Sequence, residues 1–393
     1  MIPYGKHHID EEDIKTVTEL LRNENLTQGN MVSKFENAIA EYVGAKYAVA
    51  VSSCSAGLHL SSIAADMKSG KTACTTPITF VATANAVKHT GGKVVLADID
   101  KETKNIDPTY LESLLKKNEK IDTVIPVHFS GMAADTKRIK EITKDKKIKI
   151  IEDAAHALGS HYNDGSKVGC CSNSDMTVFS FHPVKAIATG EGGMITTNDI
   201  NLCNRLKKLR SHGITKEREN FLNFSDDQSK SDKNYWYYEM QELGYHYRLT
   251  DIQCALGISQ LKKIEKFLSK RKKLVSNYDH AFKNLKNCKP IQLNSRLDSS
   301  HHLYILEIDF KKIGKSRNEV MHYLYENGVS TQVHYVPIPL HPYYKSSGLN
   351  IRDFPNSESY YNQALTIPLF YDLTETQQNT VIQLLKKILI WLL

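Results

Sequence analysis

Between residues 47 and 197 short apolar, β-rich runs alternate with segments of helical pattern, and few architectures accommodate that alternation. Parallel strands joined by right-handed crossovers do. The spacing predicts strands at 47–51, 93–96, 123–127, 149–152, 177–181 and 194–197, with helices beginning near Ser55, Thr79, Asp107 and Asp135. The apolar runs are nearly continuous, as in strands covered on both faces, so the reading is an α/β sheet whose ligands sit where strand carboxyl ends meet the following loops.

Downstream the pattern changes. Residues 221–234 are polar, rich in turn formers and without sustained periodicity, which predicts a mobile loop. A long helical region follows over 250–285, with Ala255, Ile258, Leu261, Ile264 and Leu268 on one stripe and Lys or Glu opposite. Beyond it, a strand at 303–308, a helix at 316–327, a strand at 330–334 and a terminal helix from Glu375 predict a smaller α+β unit. The expected division is a large domain over 1–250, then a bridging helix and small C-terminal domain over 251–393.

Composition closes off several functions. With 393 residues, 41% apolar and 24% charged, the chain is a folded, water-soluble protein with a large core. Lys+Arg exceed Asp+Glu by 51 to 44, but the surplus lies in runs at 137–149 and 262–273 that read as solvated helix faces, so no nucleic-acid partner is expected. Seven scattered cysteines without C-x-x-C spacing predict reduced thiols and no metal site. Neither a secretory leader nor a membrane-length apolar run is present, so no membrane partner and a cytoplasmic location are expected; the apolar end at 388–393 is expected to pack on the body or a partner subunit.

Three segments carry chemistry. Ile150-Ile-Glu-Asp153-Ala-Ala-His156 places an acid and an imidazole just after a buried strand, where Asp153 either pairs a charge in a pocket or caps the next turn, and His156 is either a site group or a core histidine. Phe179-Ser180-Phe-His-Pro-Val-Lys185 sets an isolated lysine among apolar neighbours ahead of a glycine-rich turn. Burial there favours the free amine, so Lys185 is a candidate Schiff-base nucleophile, the alternative being a snorkelling surface lysine. Ser53-Cys54-Ser55-Ala56-Gly57 joins a strand to a helix start, which is either a good cap or a cradle for a phosphate on backbone N–H groups.

In this order and spacing these segments resemble the DegT/DnrJ/EryC1/StrS sugar aminotransferases. The likeness runs from Tyr4 and Leu26-Thr-Gln-Gly29, through Glu152-Asp-Ala-Ala-His156 and Ser180-Phe-His-Pro-Val-Lys185, to Leu243-Gly-Tyr-His-Tyr-Arg248 and Gln332-Val-His-Tyr-Val-Pro337. It implies a pyridoxal 5'-phosphate enzyme of fold type I, with a mostly parallel sheet in the large domain and a small α+β C-terminal domain. Lys185 would carry the cofactor and move the substrate proton. Asp153 would pair with the pyridine nitrogen, His156 would bond the ring's phenolic oxygen, Phe80 would stack on the ring, and Ser55, Ala56 and Ser180 would hold the phosphate. The family's G-x-N-x-R segment reaches the phosphate of the other subunit of a homodimer; here it reads Gly244-Tyr-His246-Tyr-Arg248, so His246 would stand in for the asparagine.

Leu26-Thr-Gln-Gly29, the run 77–85, His302-Leu-Tyr304 and Val333-His-Tyr335 look most like the branch that aminates a UDP-linked 4-keto-6-deoxy-N-acetylhexosamine with glutamate as donor. On that likeness Tyr4, Leu26, Thr27, Cys54 and Tyr304 would line the nucleotide-sugar pocket; ordinary loop packing is their alternative. A related dehydratase branch carries histidine in place of the lysine, which Lys185 argues against, and a regulator that binds the cofactor without turnover is the remaining rival.

Overall fold

A computed structural model describes the chain except for residues 118, 223–235, 294–297 and 391–393. The loop expected at 221–234 thus lies almost wholly outside the described residues, as do the last three residues of the apolar terminus. Two helices, α1 (Glu11–Asn23) and α2 (Asn30–Val43), precede the alternating region. There β1 (Tyr47–Val51), α3 (Cys54–Ala64), β2 (Thr72–Thr75), α4 (Val81–His89), β3 (Lys93–Leu96), α5 (Pro108–Lys116), β4 (Thr123–Val124), α6 (Thr136–Thr143), β5 (Lys149–Asp153), β6 (Met176–Ser180) and β7 (Gly193–Thr197) follow in turn. They form one seven-stranded sheet of order β1-β7-β6-β5-β4-β2-β3.

From β3 to β6 the strands run parallel. β7 is antiparallel to both β1 and β6, so the sheet is mostly parallel, as expected, with its one antiparallel strand near the β1 edge. Each sheet face is covered: Leu58, Leu60 and Leu206 pack on one side, Phe35, Ile39 and Phe181 on the other. β4 is shorter than expected because Pro126 has no N–H to give a ladder; Val127 keeps only an isolated bridge to Asp153.

After α7 (Ile200–Arg210), a small ribbon of β8 (Ile214–Thr215) and β9 (Glu239–Met240) leads to α8 (Asp251–Leu261) and α9 (Ile264–Phe282). The single helix expected over 250–285 is therefore two. Between them Lys263 leaves helical dihedrals, and its ammonium is drawn to Asp10 (2.6 Å) and Asp13 (2.7 Å), which ties the break to α1.

The smaller sheet is antiparallel, β10 (Cys288–Pro290), β11 (Tyr304–Ile308) and β12 (Ala364–Ile367), in that order. α10 (Arg317–Glu326), with a Ser316/Glu319 capping box, and the terminal helix (Glu375–Ile390) cover it through Val320, Leu324, Val381 and Leu385. The strand expected at 330–334 is instead an extended segment with a single bridge from Gln332 to Thr366; just before it, Ile2 donates to the Gly328 carbonyl and accepts from Ser330. All seven cysteines are free, and among the described residues no helix is long and apolar enough to cross a membrane.

One close approach sets the site's floor. A Cβ on Gly193, at the start of β7, would lie 2.7 Å from the Cys54 amide nitrogen and 2.7 Å from the Ser53 carbonyl carbon, both backbone atoms that cannot swing aside. Gly193→Ala is accordingly expected to destabilise the protein by about 1–3 kcal/mol, read as a lowered thermal midpoint, and to weaken ligand binding at the α3 N-terminus.

Candidate active site

Asp153 is the last residue of β5 and is buried. Its Oδ2 accepts from the Thr83 hydroxyl at 2.6 Å and its Oδ1 from the Ala155 amide at 3.1 Å, so it does cap the following turn and also faces a cavity of about 420 Å³. α3 begins at one end of that cavity, with the Ser53 hydroxyl capping it by accepting from the Ala56 amide at 3.1 Å. The remaining first-turn N–H groups of a helix have no intrahelical acceptor and favour an anion.

Lys185 lies enclosed by the cavity, in the turn between β6 and β7. Burial lowers its pKa from 10.5 to about 8; the negative charge of Asp153 opposes that, and the positive charge of Arg271 adds to it. His156 is buried, with its Nδ1 accepting from the Ser130 amide at 3.3 Å and its Nε2 2.9 Å from the Tyr335 hydroxyl. Burial, followed by the charge of Lys185, holds it well below the ordinary imidazole range, so it is neutral, and the Ser130 bond places its proton on Nε2. An amine of lowered pKa, a carboxylate, a neutral imidazole and an anion-binding helix end thus converge on one cavity.

Most of the residues singled out in the sequence meet here. Tyr4, Cys54, Ser55 and Phe80 line the cavity with Asp153, His156, Ser180 and Lys185. Phe80 is 57% exposed, with its ring centroid 5.9 Å from that of Tyr335, so it stands at the mouth. Ala56 is buried behind the lining, with its amide engaged by Ser53, so a contact with phosphate through that N–H is not available as the chain stands. Leu26 and Thr27 lie on the exposed loop before α2, where the Leu26 carbonyl accepts from Asp251, and neither lines the cavity. His246 is likewise exposed and outside it, with its ring 5.5 Å from that of His212.

Tyr304 requires a correction. It is fully buried in β11, packed on Tyr278, and its hydroxyl donates to Asp279 at 2.8 Å, so it belongs to the core of the smaller sheet. The cavity wall is supplied by His302, two residues earlier, with His334 and Tyr335. Their signal was present in the segments His302-Leu-Tyr304 and Val333-His-Tyr335, but the residues that face the cavity were not distinguished there from those that pack away from it.

Two outcomes follow. Amine-directed labelling of Lys185 in the cofactor-free protein should rise through pH of about 8, since only the neutral amine reacts, and the midpoint should fall further in Asp153→Asn; peptide mass analysis reads both. Tyr304→Phe should lower thermal stability by about 1 kcal/mol and leave the KM for either substrate unchanged in steady-state assays.

The family described as the DegT/DnrJ/EryC1/StrS aminotransferase family matches residues 7–386. The spore coat polysaccharide biosynthesis protein SpsC of Bacillus subtilis is 38% identical, over 98% of this chain and 97% of its own. A UDP-4-amino-4,6-dideoxy-N-acetyl-beta-L-altrosamine transaminase of Campylobacter jejuni is also 38% identical, over 99% and 98%. Among solved structures, Helicobacter pylori PseC, an aminotransferase involved in the biosynthesis of pseudoaminic acid, superimposes with a TM-score of 0.89 at 30% identity, covering 99% of both chains. The chain belongs to the DegT/DnrJ/EryC1/StrS aminotransferase family.

Proposed function

We propose that this aminotransferase uses pyridoxal 5'-phosphate to move an amino group from glutamate to C4 of a UDP-linked 4-keto-6-deoxy-N-acetylhexosamine, the step named for its Campylobacter jejuni relative and belonging to pseudaminic acid biosynthesis. The observation that carries the cofactor assignment is the enclosed Lys185, with a pKa near 8, facing Asp153 and the start of α3. These residues fit the group: a reactive amine, a carboxylate for a ring cation, and helix amides for a phosphate, at a helix start that can sit close to β7 because Gly193 has no side chain. When bound, pyridoxal phosphate supplies a carbonyl that condenses with primary amines and a ring that accepts electron density from the neighbouring carbon.

The chain's own residues do the rest. Lys185 would take the proton from the amine-bearing carbon of the donor and pass it to the cofactor, a task for which a pKa near 8 leaves both protonation states accessible at neutral pH. Asp153, fixed by Thr83 and Ala155, holds its carboxylate in place to stabilise positive charge. His156 offers an Nε2 proton to an oxygen acceptor, with the Tyr335 hydroxyl as its partner in the resting protein. Ser55 and Ser180 add hydroxyls beside the α3 amides, and Phe80 at the mouth shields the cavity from water.

In this reading the enzyme is a homodimer whose partner helps to complete each site. Support comes from the exposed Trp236, Tyr238, Met240 and Leu243, which lie in one stretch just before His246, a residue outside its own chain's cavity. A different nucleotide-linked 4-keto sugar is the second reading, favoured by the equal 38% identity to SpsC, whose name specifies no substrate.

The experiment is an absorbance titration of the protein with pyridoxal phosphate, then glutamate, then UDP-linked 4-keto-6-deoxy sugars differing at C5. The expected result is a visible band that bleaches with glutamate and returns with one sugar. No bleaching with any amino donor would overturn the function, and return with another nucleotide sugar alone would select the second reading. Lys185→Ala should lower turnover by at least roughly 100-fold while preserving the thermal midpoint.

A further inference from the structure

His302 is a buried imidazole with an unusual set of partners. Its Nε2 lies 3.4 Å from the Lys185 Nζ, and its Nδ1 is buried with no hydrogen-bond partner among the described residues. Buried polar groups are ordinarily paired, so a ring nitrogen left alone there requires an explanation. Among the described residues the only hydrogen-bonding partner of this ring is the reactive lysine.

The ring is held in place from several sides. The His302 amide donates to the Ser130 carbonyl at 3.0 Å, and its own carbonyl accepts from the buried guanidinium of Arg271 at 3.3 Å. Arg271 also donates to the carbonyls of His301 and Leu369, so the segment entering β11 is clamped to the segment that follows β12. The His302 ring then rests against that of His156, with centroids 4.3 Å apart. A side chain so fixed on its backbone can fix in turn whatever it bonds.

We infer that His302 is a positioning residue for Lys185: its Nε2 accepts an N–H of the lysine and holds the nitrogen in one orientation while that nitrogen gains and loses a proton. The inference rests on the aminotransferase reading. A lysine side chain has four rotatable bonds, and after its release from the cofactor nothing covalent keeps its nitrogen near the substrate carbon. An ammonium offers only donors, so a neutral imidazole acceptor suits it; burial, followed by the charge of Lys185, keeps His302 neutral. The other groups facing Lys185 are Cys54, Asp153, His156, His334 and Arg271, and none of them is bonded to its Nζ in the structure.

The test compares His302→Gln, whose amide reaches the Nε2 position, with His302→Asn, which reaches only the Nδ1 position, and His302→Leu. Melting curves first establish that each is folded. In cofactor-free protein, reductive methylation of Lys185 with formaldehyde is followed against pH by peptide mass. Loss of an acceptor that favours the ammonium should move the midpoint down by about one unit in the Leu and Asn variants, with Gln restoring it.

In the loaded enzyme, kcat should fall roughly tenfold in Leu and Asn with KM for glutamate and sugar nearly unchanged, and the isotope effect with glutamate deuterated at Cα should rise. Gln should recover most of both. An unchanged labelling midpoint and isotope effect in a folded Leu variant, with wild type active, would overturn the positioning role alone. A wild-type protein that labels at Lys185 yet exchanges no amino group overturns the functional reading on which it rests.

Discussion

The site depends on an amine removed from water. A lysine ammonium loses much of its hydration in such a place, and the structure offsets only part of that through the charge of Asp153, while Arg271 works against it. Holding that balance takes elements from distant parts of the chain: the end of β5, the turn between β6 and β7, the start of α3, and the segments that flank the smaller sheet. The arrangement of strands explains how this is possible. β5, β6, β7 and β1 are neighbours in the sheet, so their ends and the loops beyond them open on one cavity although they are scattered in sequence.

The turn at Phe129–Gly131 does the corresponding work between the two sheets. Ser130 sits in the left-handed region at φ 60°, a conformation that costs a non-glycine residue about 1 kcal/mol. Its amide meets His156, its carbonyl meets the His302 amide, and its hydroxyl donates to the Leu303 carbonyl. Ser160 and Ser300 brace the same corner through the carbonyls of Gly131 and His156, and the Asn105 side chain accepts from the Phe129 amide. A single strained residue thereby sets the proton of one histidine and the height of the other.

The central strands were legible because β1, β3, β5 and β6 are continuous apolar runs bounded by turn formers, and Asp153, His156 and Lys185 announced themselves as polar residues at the ends of such runs. β2 escaped because Thr72-Ala-Cys-Thr75 carries little apolar signal, although all four residues are buried between β3 and β4. The direction of β7 was invisible, since a buried strand has the same composition either way. Tyr304 and His302 were confused for a definite reason: strand alternation begins at Tyr304, while the chain just before it passes through a positive φ at His301, so the period-2 rule does not carry back to His302. Leu26, Thr27 and His246 lie outside this chain's cavity, and a pattern read along the sequence does not separate a loop residue that faces the cavity from one that does not.

The N-terminal segment adds an order of events. Tyr4 forms part of the cavity wall, and its carbonyl accepts from the amide of Leu369; Ile2 is bonded to residues 328 and 330. Residues 2–4 thus lack their bonding partners until residues 328–330 and then 369 have emerged from the ribosome, when the smaller sheet can close over them. The seven-stranded sheet, with every strand within residues 47–197, needs no such delay. A nascent chain would therefore present a formed sheet and an open, unwalled cleft until residue 369 is in place, and capture of a cofactor waits on that stage of synthesis.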